Sequence, residues 1–304
     1  MSYLLRILLT VVGGGAIAYA ALCTFMVVRQ RQLIFLPVSA LEQTPDALGI
    51  PYEEVWLPVT PEHSERIHGW WLANASTADV LLYLHGNSSN ISVNLSQAQR
   101  YYQLGFSVLL IDYRGFGLSE GRFPSETQVY QDAQAAWEYL VQKRHIEPHR
   151  IFLYGHSLGG AIAIDLATRH PEAAGLIVEG TFTSMRDMAK YRRRFEWLPV
   201  NLLLTQRFDS IHKIKSLQTP LLLIHGSDDL VVPMHMSQDL YAAATGTKTL
   251  FIVPGAGHNN AASVGAAQYL QTVREFYLSL RDGERGKGKL SLCDGQRTQE
   301  RGIG

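Results

Sequence analysis

Arg150-Ile151-Phe152-Leu153-Tyr154-Gly155-His156-Ser157-Leu158-Gly159-Gly160 is the stretch that decides how this chain folds. Residues 151–154 are a short apolar run of the kind that forms a buried parallel strand. Gly155-His156-Ser157-Leu158-Gly159 follows at once and fits the pattern G-x-S-x-G. Residues 160–167 then read as a buried helix. Strand, Gly-Ser-Gly turn and helix in that order make a nucleophile elbow. The glycines have a physical reason. A serine held in a sharp, strained turn needs neighbours without a Cβ, so that strand and helix can pack closely. The turn lifts the hydroxyl above the sheet, and the helix N-terminus behind it favours developing negative charge. A Gly-Ser-Gly loop without chemistry is the competing reading, and the flanking strand and helix argue against it.

Working outward, residues 80–84 and 108–111 read as buried strands before the elbow, and 176–178, 221–224 and 249–253 as strands after it. Residues 54–59 and 67–72 are two further strands near the N-terminal side. Helices are expected over 91–104, over 125–143 with Ser125 as N-cap, and over 260–280. Strands alternating with helices imply right-handed crossovers and a mainly parallel central sheet, the α/β class.

The 304 residues suffice for one large α/β domain with a sizeable core. At 46% hydrophobic and 18% charged, the bulk is globular rather than disordered. Lys+Arg and Asp+Glu are both 27, so charge gives no argument for a nucleic-acid partner. Cys23 lies in an apolar stretch and Cys293 in a polar one, so no disulfide framework is implied.

Residues 7–28 carry no charge, and about 20 apolar residues cross a bilayer. Ala18-Tyr19-Ala20 fits a signal-peptide cleavage site, but the apolar run continues through Leu22, Phe25, Met26, Val27 and Val28. An uncleaved single-pass anchor is therefore expected. Arg6 flanks one side, Arg29 and Arg31 the other, which favours a catalytic domain on the cytoplasmic face. The expected division is an anchor over 1–30, a juxtamembrane linker over 31–50, the catalytic domain over 51–281 and a disordered tail over 282–304. A cap insert is expected at about 181–219.

An elbow serine needs a base, and the base an orienting acid, in the chain order Ser, acid, His. Of the 11 histidines, His258 sits just past the last apolar strand, at the sheet edge where parallel α/β folds collect their chemistry. His156 adjoins Ser157, but its side chain should point away from the hydroxyl. His85 and His225 end strands and read as structural, His170 reads as a helix-end residue, and His63 as a solvated turn residue. The acid has three candidates: Glu179, Asp228 and Asp229. Asp229 is preferred because an apolar stretch follows and can hold it. Asp112 precedes the elbow and is expected to pair with Arg114. The oxyanion hole needs two backbone N–H donors, assigned to Leu158 and Asn87. The Asn87 side chain could instead shape the His85-Gly86-Asn87 loop.

Several stretches together resemble the membrane-anchored α/β-hydrolase-domain proteins, the branch that includes protein depalmitoylases. They are Gln30-Arg31-Gln32-Leu33-Ile34-Phe35-Leu36-Pro37, His85-Gly86-Asn87 and the run Asp112-Tyr113-Arg114-Gly115-Phe116-Gly117-Leu118-Ser119-Glu120-Gly121. The elbow, His225-Gly226-Ser227-Asp228-Asp229 and Gly257-His258 complete the set. The resemblance implies an α/β-hydrolase fold and makes the second aspartate, Asp229, the acid. It leaves the substrate open, since one scaffold hosts many reactions.

The cap region holds Met185, Met188, Tyr191, Phe195, Trp197, Leu198, Leu202, Leu203 and Leu204, unusually apolar for a loop. Two readings stand: a lid lining an apolar acyl pocket, or a helical segment docked on the sheet. Arg192-Arg193-Arg194 could meet phospholipid headgroups or form a solvated face. The expectation is a serine hydrolase that cleaves esters or thioesters of a small-molecule or lipid-like acyl substrate. Ser157 attacks, His258 moves the proton and Asp229 holds the imidazole. This chemistry requires no metal or organic cofactor. The alternatives are a peptidase of short peptides and a non-catalytic scaffold of the same fold. The sequence sets no oligomeric state.

Overall fold

The computed structural model describes residues 2–59, 65–192 and 197–281 in full, and the backbone of 282–299. Eight strands build its main sheet: β1 (Glu53–Pro58), β2 (Arg66–Leu72), β3 (Val80–Leu84) and β4 (Ser107–Ile111) before the elbow, then β5 (Ile151–His156), β6 (Gly175–Glu179), β7 (Leu221–Gly226) and β8 (Lys248–Val253). In space they run β1-β2-β4-β3-β5-β6-β7-β8. Only the β1/β2 and β2/β4 pairs are antiparallel. The expected strands are all present. β5 lies at the centre because its residues are apolar on both faces: Ile151 and Leu153 pack into one core layer, Phe152 and Tyr154 into the other.

Helices α4 (Glu126–Glu138), α5 (Leu158–Arg169) and α9 (His235–Ala243) cover one face with Val129, Trp137, Ile162 and Leu240. Helices α3 (Leu95–Gln103) and α10 (Ala261–Gln299) cover the other with Leu95, Tyr101, Tyr269 and Val273. Ser125 caps α4 as expected, in a reciprocal box with Gln128. The tail 282–304, expected to be disordered, lies outside the fully described residues, the α10 backbone running on to Gln299. The turn containing His63 also lies outside the described residues, as do Arg193, Arg194 and Phe195.

Among the described residues, α1 (Tyr3–Val28) is the one helix long and apolar enough to cross a membrane. Residues 31–50 differ from the expected linker. Helix α2 (Gln30–Ile34) leads to Phe35, which is fully buried against the rings of Phe116 and Phe208. Leu36–Pro37 then pairs in parallel with Ser88–Ser89. An aromatic side chain and a ladder fix this segment to the body, so it joins the core rather than spanning a gap.

The cap consists of α6 (Met185–Tyr191), α7 (Val200–Leu203) and α8 (Ser210–Lys213). Gln30 clasps it. Its Oε1 accepts from Thr205 N (2.8 Å), Thr205 Oγ1 (3.0 Å) and Gln206 N (2.8 Å), and its Nε2 donates to Leu203 O (3.1 Å). Gln30→Ala strands these partners inside, at a cost of about 2 kcal/mol. The urea midpoint should fall accordingly, with an unchanged m-value. An unshifted midpoint would show that the clasp contributes nothing to stability.

Candidate active site

The elbow is strained. Ser157 has φ 55° and ψ −118°, a region that a residue with a Cβ rarely enters. Its N–H donates to Glu179 O (2.8 Å), and its carbonyl accepts from Thr181 Oγ1 (2.8 Å) and Gly160 N (3.0 Å). These bonds hold the turn closed. The glycines leave no room for substitution: a Cβ on Gly155 would stand 2.2 Å from Gly159 O, and one on Gly159 2.1 Å from Leu84 O.

Three elements bring the expected side chains together. Ser157 follows β5, Asp229 follows β7 and His258 follows β8. His258 Nε2 lies 3.0 Å from Ser157 Oγ, and His258 Nδ1 lies 2.7 Å from Asp229 Oδ2. Asp229 Oδ1 accepts from the N–H groups of Val231 and Val232, both at 2.8 Å. Burial pushes the Asp229 carboxyl up, but bonds from His225, His258 and Val232 together outweigh it and hold the group well below the carboxylate range. His225 was assigned only a structural part by its sequence position. It is buried, 3.3 Å from Asp229 Oδ2, with its ring also bonded to Ser237 Oγ and Val232 O. The four-residue spacing of His225 and Asp229 across one turn was the available signal.

The other candidates fall elsewhere. Asp228 is exposed and accepts from Ser227 Oγ (2.6 Å). Glu179 is buried, and its Oε2 accepts from the hydroxyls of Tyr154 (2.9 Å) and Tyr269 (2.7 Å). Burial pushes both phenols well above their ordinary value, so they remain donors. His156 turns away from the Ser157 hydroxyl toward the His258 carbonyl (3.0 Å), and burial lowers its pKa. His170 stacks on Trp137. The expected Asp112–Arg114 pair is not formed. Arg114 Nε instead reaches the buried Asp132 carboxylate at 2.7 Å, while Asp112 Oδ1 accepts from Ile91 N and lies 3.4 Å from His85 Nε2. The α4 carboxylate faces the guanidinium directly, whereas Asp112 is taken up by the backbone beside it.

Leu158 N heads α5, where the first N–H groups have no partner within the helix. Asn87 lies across from it on the loop after β3. The Asn87 side chain shapes that loop, its Nδ2 donating to Ile34 O (2.7 Å), while the Asn87 backbone carbonyl accepts from Leu36 N. Ser157, Leu158 and Asn87 share the wall of an apolar cavity of ≈600 Å³. Met185, Met188, Leu198 and Leu203 line it from the cap, which favours the lid reading for these residues. Met26, Leu33, Ile34 and Leu36 supply another wall, which the linker expectation had missed. A second cavity of ≈570 Å³ opens on the other side of Ser157 and is mainly polar, with His258, Glu179, Gln97, Asn94, Arg100 and Ser263 on its wall.

A family model described as serine aminopeptidase, S33, matches residues 75–215. An uncharacterised protein of Mycobacterium tuberculosis is 35% identical over 270 residues, covering 88% of this chain and 94% of that one. The alpha/beta hydrolase domain-containing protein WAV2 of Arabidopsis thaliana is 31% identical over 288 residues, covering 87% and 91%. An uncharacterised membrane protein of Saccharomyces cerevisiae is 32% identical over 241 residues, covering 77% and 82%. Among solved structures, an esterase of Pyrococcus furiosus shares the fold, with a TM-score of 0.67 at 22% identity over 80% of this chain and 97% of that one. The sheet order, the strained serine between strand and helix, and these relatives lead to one assignment: the chain belongs to the α/β-hydrolase family.

Proposed function

We propose that this α/β-hydrolase is a serine hydrolase of apolar acyl esters and thioesters. The observation that carries the reading is the unbroken line from Ser157 Oγ through His258 to Asp229, at 3.0 and 2.7 Å. In the proposed reaction Ser157 Oγ attacks the acyl carbon while His258 Nε2 takes its proton. Asp229 holds the imidazole with its Nδ1–H inward and stabilises the imidazolium. The N–H groups of Leu158 and Asn87 receive the developing oxyanion. His258 then gives the proton to the departing oxygen or sulfur, and water repeats the sequence on the acyl-enzyme.

Ester cleavage is favoured by the apolar cavity beside Ser157, whose methionines adapt to varied chains. The fold neighbours include the Pyrococcus esterase and an acetyl xylan esterase of Thermoanaerobacterium. Peptide cleavage is the second reading, supported by the match to the serine aminopeptidase model. One series separates them: kcat/KM for acetyl, butyryl, octanoyl and palmitoyl p-nitrophenyl esters beside peptide amides. Each buried methylene contributes about 0.8 kcal/mol, so the ester values should climb several-fold until the cavity is full. A flat ester profile with efficient amide cleavage would reject the acyl reading in favour of the peptidase. We further propose that α1 anchors the chain in a membrane, with the body on the cytoplasmic face. Release of the protein by a carbonate wash, or protection of the body from protease in sealed inside-out vesicles, would contradict that arrangement.

A further inference from the structure

Ser157 stands between two cavities of opposite character. We propose that the polar cavity receives the leaving half of the substrate, and that Arg100 selects leaving groups carrying an anionic substituent. The proposal rests on the serine-hydrolase reading and deepens it.

Proton delivery fixes the direction. When the tetrahedral intermediate collapses, the bond from the acyl carbon to the leaving oxygen or sulfur breaks, and that atom takes the proton from His258 Nε2. The leaving group must therefore lie on the His258 side of Ser157. His258 lines the polar cavity and not the apolar one; of the two proposed oxyanion donors, Asn87 borders both cavities and Leu158 the apolar one. An acyl chain in the apolar cavity and a leaving group in the polar cavity satisfy both requirements at once. The reverse placement would put the departing atom away from its proton donor and the hydrocarbon among Asn94, Gln97 and Glu179.

The charges on the polar wall then set specificity. Glu179 is satisfied from within the fold: Tyr154, Tyr269 and Gln97 all donate to its Oε2. Arg100, on α3, differs. Its Nη1 donates to Gln97 Oε1 (2.8 Å) and Ser96 O (3.2 Å), and its Nη2 to Ser263 Oγ (3.4 Å). All three acceptors are neutral, and no carboxylate among the described residues forms an ion pair with this guanidinium. The three bonds hold the side chain in place at the cavity wall without a carboxylate in direct contact, the Glu179 carboxylate being reached only through Gln97. A guanidinium with donors to spare matches a phosphate or a carboxylate.

Two matched pairs of substrates test this on the full chain in detergent micelles. The first is 1-octanoylglycerol 3-phosphate against 1-octanoylglycerol; the second is O-octanoylglycolate against ethyl octanoate. The acyl half is constant, so the ratio of kcat/KM within a pair reports the leaving group alone. At least one anionic ester should exceed its neutral partner by about tenfold, the scale of a charge-assisted hydrogen bond. The pair that shows the preference tells phosphate from carboxylate. Arg100→Gln should bring the ratio near one, chiefly through KM, and Arg100→Lys should restore part of it. Equal values within both pairs would overturn the proposal. So would an Arg100→Gln variant that slows all four esters alike, because that marks a structural role. Turnover of none of the esters, with Ser157 unlabelled by a fluorophosphonate, would overturn the serine-hydrolase reading and this proposal with it.

Discussion

Ser157→Ala is expected to abolish fluorophosphonate labelling and to lower ester turnover by roughly 10⁵–10⁶-fold, the scale seen when a triad nucleophile is removed. The fold should survive. The Oγ is bonded to His258, but the backbone bonds that close the elbow run through Ser157 N and O, and alanine keeps them. Alanine also carries a Cβ, so the strain at φ 55° is neither relieved nor increased. The thermal midpoint should therefore move little while activity disappears. Ser88, Ser89, Ser96 and Ser263 line the neighbouring polar cavity and are the alternative sites of labelling. Labelling that persists in the variant, or maps to one of these serines, would remove Ser157 as nucleophile.

The second large effect is expected at Asp229. Asn in its place should cost about 10⁴-fold in kcat, because an amide facing His258 Nδ1 stabilises the wrong tautomer. The alternative orientation is no better. Turning the amide nitrogen the other way sets it against the N–H groups of Val231 and Val232, which now donate to Oδ1. Asp228→Asn should change kcat less than twofold, since its side chain faces solvent and, among the described residues, is bonded to Ser227 alone. Glu179→Gln should act on stability through the tyrosine hydroxyls rather than on the chemistry. The sign with pH follows from the depressed Asp229 group. Its folded value lies below its unfolded one, so its contribution to stability is present above the unfolded pKa of about 3.9 and is lost as pH falls below it. Asp229→Asn should thus lower the midpoint more at pH 7 than in strong acid. Equal and mild losses of kcat at 228 and 229 would overturn the assignment.

The sheet was legible because its strands are apolar on both faces and separated by turn residues. Val80–Leu84 and Ile151–His156 are short apolar runs that end at glycine-containing turns, which favours strands over buried helices. Part of the candidate site was legible for a related reason. Strand ends place loops predictably, so Ser157 and His258 could be sought just past apolar runs, whereas Asp229 was set above Asp228 and Glu179 by the apolar stretch after it and by the resemblance. What failed depended on partners far away in sequence. Arg114 chose Asp132 over Asp112 because α4 packs back over the turn, and local spacing carries no trace of that docking. Gln30 looked like the end of an anchor, yet its amide bonds residues 173 to 176 positions away. Residues 31–50 read as a linker because one buried Phe35 and a two-residue ladder have no periodicity to detect.

The wall that Met26 contributes to the apolar cavity changes how the enzyme would be measured. Met26 lies in the last turn of α1, and Tyr19, two turns earlier, is bonded to the Trp197 carbonyl on the cap. If α1 lies in a bilayer as proposed, the cavity that Met26 borders adjoins the membrane helix, and an acyl chain of the proposed substrate can enter it without being dissolved in water. Encounter then takes place in two dimensions. The governing concentration is the mole fraction of substrate among the lipids, so adding inert lipid should slow the enzyme even when the bulk molarity of substrate is held fixed.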